Sequence, residues 1–301
     1  MYWTITPRRY RRWILPVAVV LLLATLRWVS PAAKPASATQ PGVPVPIIMY
    51  HSLLPQGSSD YVVDPDLFEQ DLRYLKEHGY TTVTVADLIA FVDAGTPLPD
   101  KPVMLTFDDG YYNNYLYAHP LLKQYGMRAV ISPIGSVSEF YSDNPKEQDK
   151  PRYSHVTWEQ LSEMARSGVW EIQHHSYNLH HVDQGRKGAA QKRDEDGKDY
   201  RRVLIDDLHK ATTLLQNRVG VTPTAFVYPF GAYTTATDPV LREYGFRVTL
   251  TCEERVSRIS RGPTSLWRLG RYLRPNGVDS QTYFEPILLH KEAQTNGTEK
   301  N

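Results

Sequence analysis

Val103-Met104-Leu105-Thr106-Phe107-Asp108-Asp109-Gly110-Tyr111 is the stretch on which the reading of this chain turns. An apolar run of strand character leads straight into two carboxylates and a glycine. Side chains alternate faces along a strand, but a glycine can turn the backbone at the strand's end and let both acids face one pocket. One carboxylate could then hold a metal while its neighbour stays free to move a proton. Alone, Asp-Asp-Gly closes many surface strands; the rest of the chain gives it more meaning.

Four of the ten histidines fall between positions 174 and 181, in Glu171-Ile172-Gln173-His174-His175-Ser176-Tyr177-Asn178-Leu179-His180-His181. Neutral imidazole is the commonest metal ligand near pH 7, and two imidazoles with one carboxylate leave positions open for water and substrate. Trp170-Glu171-Ile172 reads as a short strand and His175 onward as the loop leaving it, but spacing alone does not choose among the histidines. A third apolar run, Ala225-Phe226-Val227, is stopped by Tyr228-Pro229-Phe230-Gly231. Pro removes a ladder donor and Gly permits a strained turn, which frees backbone amides to face an anionic centre.

These segments, in this order, resemble the polysaccharide deacetylases that carry the NodB homology domain, carbohydrate esterase family 4, over roughly residues 43 to 285. The motifs that carry the resemblance are Thr106-Phe107-Asp108-Asp109-Gly110, His175-Ser176-Tyr177-Asn178-Leu179-His180 and Tyr228-Pro229-Phe230-Gly231. The His-x4-His spacing, Tyr228 in place of an arginine-led motif, and the early Ile47-Ile48-Met49-Tyr50-His51-Ser52 make the chain most similar to the poly-N-acetylglucosamine deacetylase branch. The resemblance implies an α/β fold, a distorted (β/α) barrel, and a hydrolase that removes N-acetyl groups from an extracellular or cell-surface polysaccharide. It makes Asp108 the general base and Asp109, His175 and His180 the ligands of a divalent metal, zinc by default with cobalt, nickel or iron as alternatives. It implies that the Phe230 backbone N–H helps hold the oxyanion, with Tyr228 and Arg271 among the substrate-side residues. An arginine of the segment Arg268 to Arg271 could also orient Asp108 or keep it ionised, and the resemblance favours Arg271, which it aligns with the arginine that closes that strand.

The acid that protonates the departing amine has two candidates. Leu288-Leu289-His290 fits the late Leu-x-His string of many relatives, but a terminal helix over 279–293 explains that stretch as well. Val45 to Tyr50 reads as a strand that delivers His51 at its C-terminal end, where barrel active sites gather. The branch looks circularly permuted, so an N-terminal strand can replace the relatives' last one, and His51 is preferred. His174 and His181 flank the ligands and are expected to support them. His119, before Pro120, reads as structural.

Helical patterns ending at Gly79, Gly126 and Gly168 alternate with short apolar strands, as in a parallel α/β sheet or barrel. Asp183 to Tyr200, crowded with charge, reads as a loop before a helix over 201–219. Ahead of this domain, Arg8, Arg9, Arg11 and Arg12 precede the 13 apolar or small residues Ile14 to Leu26. Such a run is expected to be one membrane segment, with the N-terminus cytoplasmic and the catalytic domain outside; cleavage as a secretory signal is the alternative. The expected organisation is a stub and membrane segment over 1–29, a Pro/Ala/Ser-rich linker over 30–46, the catalytic domain over 47–293 and a polar tail over 294–301. A net charge of +1 without a basic aromatic stripe argues against a nucleic-acid partner. The single cysteine excludes an internal disulfide, and a monomer is expected. Twenty tyrosines, 6 Trp and 8 Phe suit stacking on sugar rings. An O-acetyl esterase and a non-catalytic carbohydrate-binding relative are the competing functions; retention of Asp108 speaks against the latter.

Overall fold

The structure is a computed structural model that describes residues 42–57 and 59–296, the last eight by backbone alone. The expected membrane segment and most of the expected linker lie outside the described residues. No helix among those described is long and apolar enough to cross a membrane.

Seven short parallel strands form the frame: β1 (Ile47–Tyr50), β2 (Pro102–Asp109), β3 (Ala129–Pro133), β4 (Trp170–Ile172), β5 (Ala225–Val227), β6 (Val248–Leu250) and β7 (Tyr272–Leu273). Hydrogen bonding gives the order β7-β1-β2-β3-β4, with β5 and β6 paired separately. Parallel bridges at His174–Phe226 and Leu250–Leu269 join the two sets into a distorted closed ring. The N-terminal strand β1 thus lies between β2 and β7, the last strand. Helices α1 (Pro65–Glu77), α2 (Val85–Ala94), α3 (His119–Tyr125), α4 (Gly135–Asp143), α5 (Trp158–Arg166), α6 (Gly197–Leu214), α7 (Thr237–Tyr244) and α8 (Ser280–Asn296) fill the connections and the C-terminal end.

Strand alternation decides what each face does. On β2, Val103, Leu105 and Phe107 pack in a core shared with α1, α5 and α8. Met104 joins a second core with Ile47, Val130, Val227, Val248 and Leu250. Asp108 has the parity of Met104 and Thr106, so the strand's own pleat places it with the second set. Every residue of β2 is buried, and its near-continuous apolar run is what a parallel strand covered on both faces requires.

Three boundaries differ from expectation. Val43–Val45, read as the end of the linker, pairs antiparallel with Ser257–Ile259, because Val45 fills the second core. The terminal helix continues to Asn296, into the segment read as tail. The loop expected over 183–200 contains a two-residue hairpin, Val182–Asp183 with Arg186–Lys187, and α6 starts at Gly197 under an Asp196 cap. A buried Arg186–Glu195 ion pair holds that loop together.

Candidate active site

An open cleft of ≈ 680 Å³ lies at the C-terminal ends of the strands and contains Asp108, Asp109, His51, His175, His180 and Phe230. Asp108 arrives by the strand's register. Asp109 arrives by leaving it, because its φ of 67° swings the backbone out of the pleat and Gly110 continues the turn at φ 76°. The bend begins one residue before the glycine, on a non-glycine residue that strains to adopt it. Gly110 itself cannot be replaced without a clash, since a Cβ there would lie 2.8 Å from Pro133 Cβ. Ser176 (φ 70°) and Phe230 (φ 58°) adopt the same left-handed backbone, so each of the three sequence motifs bends on one strained non-glycine residue.

Asp109 Oδ1 lies 3.4 Å from His175 Nε2 and 3.2 Å from His180 Nε2, and ligand atoms of the three residues fall within 4.8 Å of one another. The His175 Nδ1–H donates to the Val227 carbonyl at 2.9 Å, which leaves Nε2 as the ligating nitrogen. Asp109 Oδ1 is buried with no hydrogen-bond partner. An orphaned carboxylate oxygen between two imidazole nitrogens fits a divalent cation, and one carboxylate with two imidazoles suits a borderline transition metal. Burial alone would raise the Asp109 carboxyl, but the adjacent His175 and His180 hold it well below the usual carboxylate range. Burial pulls His175 down, yet the adjacent Asp109 and Asp108 carboxylates outweigh that and leave it raised. His180 is lowered, first by burial and then by His175.

Asp108 lies under this group. Arg271 donates from Nη1 and Nη2 to its two oxygens at 2.7 and 2.8 Å, and both side chains are buried. Burial would raise the Asp108 carboxyl; the guanidinium overrides it and keeps the group ionised. Arg271 also donates to the Thr251 carbonyl and to Thr106 Oγ1, which completes its satisfaction. His51 Nε2 is 4.0 Å from Asp108 Oδ2 on the other side. Burial lowers His51 below an ordinary imidazole, against the pull of Asp108 and Asp109.

Several expected residues sit elsewhere. The Tyr228 side chain is buried and turned away from the cleft: its hydroxyl donates to Asp238 and its ring packs on Phe226 and Tyr233, so it has no access to substrate. Arg271 is likewise fully covered, and lies behind Asp108 rather than on the substrate side. Arg268 pairs with Asp238 and lies over Tyr233. His174 is a core residue: its Nδ1 accepts from the Ser176 N–H at 3.0 Å and its ring packs on Phe226 and Phe246. His290 belongs to α8, and no described residue of α8 lines the cleft.

The cleft also contains Tyr61, Tyr111, Lys187, Cys252 and Glu254, none of which the sequence reading placed in a site. Tyr111 follows Gly110 directly, so its adjacency was a usable signal. Lys187 sits in the charged stretch over 183–200 that reads as a solvent-facing loop. Asp207, on α6, was also missed. Its carboxylate accepts from the Tyr177 and Asn178 N–H groups at 2.8 and 2.7 Å, which pins the loop between the two histidines, and burial pushes its pKa up to about 6.

The family model of polysaccharide deacetylases matches residues 95–249, just over half the chain. A poly-β-1,6-N-acetyl-D-glucosamine N-deacetylase of Escherichia coli (strain K12) is 29% identical over 243 residues, which cover 74% of this chain. The match spans only 35% of that relative's length. Among solved structures, IcaB from Ammonifex degensii is 27% identical, with a TM-score of 0.66 over 84% of this chain and 98% of that one. A Streptococcus pyogenes deacetylase, PplD, shares the fold at a TM-score of 0.67 and 22% identity, over 82% of this chain and 99% of that one. With the family's motif residues gathered in one cleft at the strand ends, the chain belongs to the polysaccharide deacetylase family.

Proposed function

We propose that this protein is a metal-dependent amidohydrolase that removes N-acetyl groups from a poly-N-acetylglucosamine chain. The observation that carries the reading is the convergence of Asp109 Oδ1, His175 Nε2 and His180 Nε2 beside an ionised Asp108. Its substrate is taken from the activity named for the Escherichia coli relative. A divalent ion held by Asp109, His175 and His180 would supply a water of lowered pKa and polarise the acetamide carbonyl.

The remaining steps belong to the chain's own groups. Asp108, held away from the ligands by its two bonds to Arg271, accepts the proton of the attacking water. His51, across the cleft, gives a proton to the departing glucosamine nitrogen, so that acetate and a free amine leave. The strained Phe230 turn lies at the cleft, where its backbone N–H would assist the oxyanion. Water, acetamide and amine then balance without any further co-reactant. The four arginines and the apolar run Ile14–Leu26 support placing the domain outside the cytoplasm on a membrane anchor, as an extracellular polymer requires.

The test is acetate release by the purified protein from poly-β-1,6-N-acetylglucosamine, chitin oligomers and acetylxylan. The first substrate should dominate, excess chelator should abolish release, and added Zn²⁺ or Co²⁺ should restore it. Full activity in excess chelator would remove the metal mechanism, and preference for acetylxylan would make the enzyme an esterase.

A further inference from the structure

Among the described residues, exposed aromatic rings are concentrated rather than scattered. Five large apolar side chains stand out as exposed among the described residues, and Tyr61 (56%) and Phe230 (40%) line the cleft. Phe140 (50%) and Tyr153 (68%) lie outside it, and a series of ring contacts leads from the cleft to Phe140. Tyr111, on the cleft wall, stacks on His155 at 4.5 Å, His155 on Tyr141 at 5.8 Å, and Tyr141 meets Phe140 edge-on at 5.2 Å. The Tyr141 hydroxyl donates to the Tyr153 carbonyl, which brings the backbone of the second exposed residue to the same outer end.

The platform is firmly built. Val156 N–H donates to the Gly110 carbonyl at 2.8 Å, Tyr112 N–H to the Ser154 carbonyl at 2.9 Å, and Asn113 Nδ2 to the Pro151 carbonyl at 2.9 Å. Residues 151–156 are thus sewn to the turn that carries Asp109. Rigid rings held open to water, on a segment tied to the reacting centre, are preorganised for a ligand with an apolar face. A bilayer is the other such partner, but residues 139–153 carry four acidic and three basic side chains, whereas a surface for anionic lipid would be basic.

We infer that Phe140 and Tyr153 form an outlying sugar-stacking subsite, continuous through Tyr111 with the cleft, so that the protein grips an extended polysaccharide rather than a chain end. The inference rests on the proposed polysaccharide substrate and adds where its distal units lie. Pyranose rings offer C–H faces to aromatic rings, and Tyr adds a hydroxyl for the sugar's polar edge.

Full-length protein and a Phe140→Ala/Tyr153→Ala variant are to be compared on β-1,6-linked N-acetylglucosamine oligomers from dimer to hexamer. Two readouts are used: acetate release, and calorimetric binding with Asp108→Asn added to both proteins so that no turnover is needed. On the hexamer, kcat/KM and affinity should each fall about 10-fold, with dimer values unchanged. The ring-preserving Phe140→Tyr/Tyr153→Phe variant should restore the hexamer values. Equal loss on dimer and hexamer, or no loss at any length, overturns the subsite. So does intact hexamer binding together with lost association to phosphatidylglycerol vesicles, which would make the rings a membrane contact. Ring-dependent hexamer binding without acetate release by the parent protein would sink the proposed reaction and leave the subsite standing.

Discussion

Asp108 and Asp109 are chemically identical neighbours that the backbone sends to different tasks. Asp108 keeps the strand's register and meets Arg271, while Asp109 bends out at a positive φ and meets two imidazoles. Replacing Asp108 by Asn should therefore leave metal stoichiometry at one per chain while acetate release falls by about 100-fold or more, as for loss of a general base. Metal analysis and turnover on one preparation check this; unchanged turnover would remove Asp108 as base. Gly110→Ala should cost about 1–3 kcal/mol of stability in urea denaturation, because both its φ and its 2.8 Å approach to Pro133 exclude a side chain. His119 supplies a pH signature. Its Nδ1 accepts from the Trp170 indole N–H at 3.1 Å, and burial lowers its pKa below the ordinary 6.5. Below that value the unfolded chain binds a proton that the folded one refuses, so stability drops as pH falls through 6.5. The urea midpoints of the wild type and His119→Gln should therefore draw together between pH 7.5 and 5.5, and a constant gap would refute the linkage.

At the level of elements, another buried ion pair ties the ends of the fold together. Arg274, just after β7, donates to both Asp71 oxygens at 2.8 and 2.9 Å; Asp71 also accepts from Tyr50 at the end of β1 and from Ser280 at the start of α8. The cluster therefore locks the strand that delivers His51 to a helix and to the last segment of the chain. Arg274→Met should cost about 3–5 kcal/mol because it strands a buried carboxylate, while Asp71→Leu/Arg274→Met together should recover most of that loss. A double-mutant cycle in urea measures this directly. Additive single effects would mean the pair is not coupled. This tie could not be read from sequence, where Asp71 is one more polar position on an amphipathic helix and its partner is 203 residues away.

For the molecule as a whole, the three candidate ligands come from β2 and from the loop after β4, so an ion bound there bridges parts of the barrel far apart in the chain. Zn²⁺ at about a hundredfold above its Kd should stabilise the folded state by about 2.7 kcal/mol. For a domain of this size that is a rise in Tm of about 5–10 °C. Scanning calorimetry of wild type and of a His175→Ala/His180→Ala variant checks it: only the first should shift, and an equal shift in both would place the ion elsewhere.

Local chemistry on the chain was enough to announce the alternating α/β architecture, the strand ending in paired carboxylates and the histidine-rich loop, because periodicity, turn residues and donor types act between near neighbours. Convergence lay beyond it. That His175 presents Nε2 depends on a bond to Val227, 52 positions away, and the two-pronged bond by which Arg271 meets Asp108 joins residues 163 positions apart. Tyr228 belongs to the interior for the same reason: its direction follows from the pairing of β5 with β6, which brings Asp238 and Tyr233 around its ring. Contacts at such separations are settled by strand register and packing, and only the assembled barrel contains them.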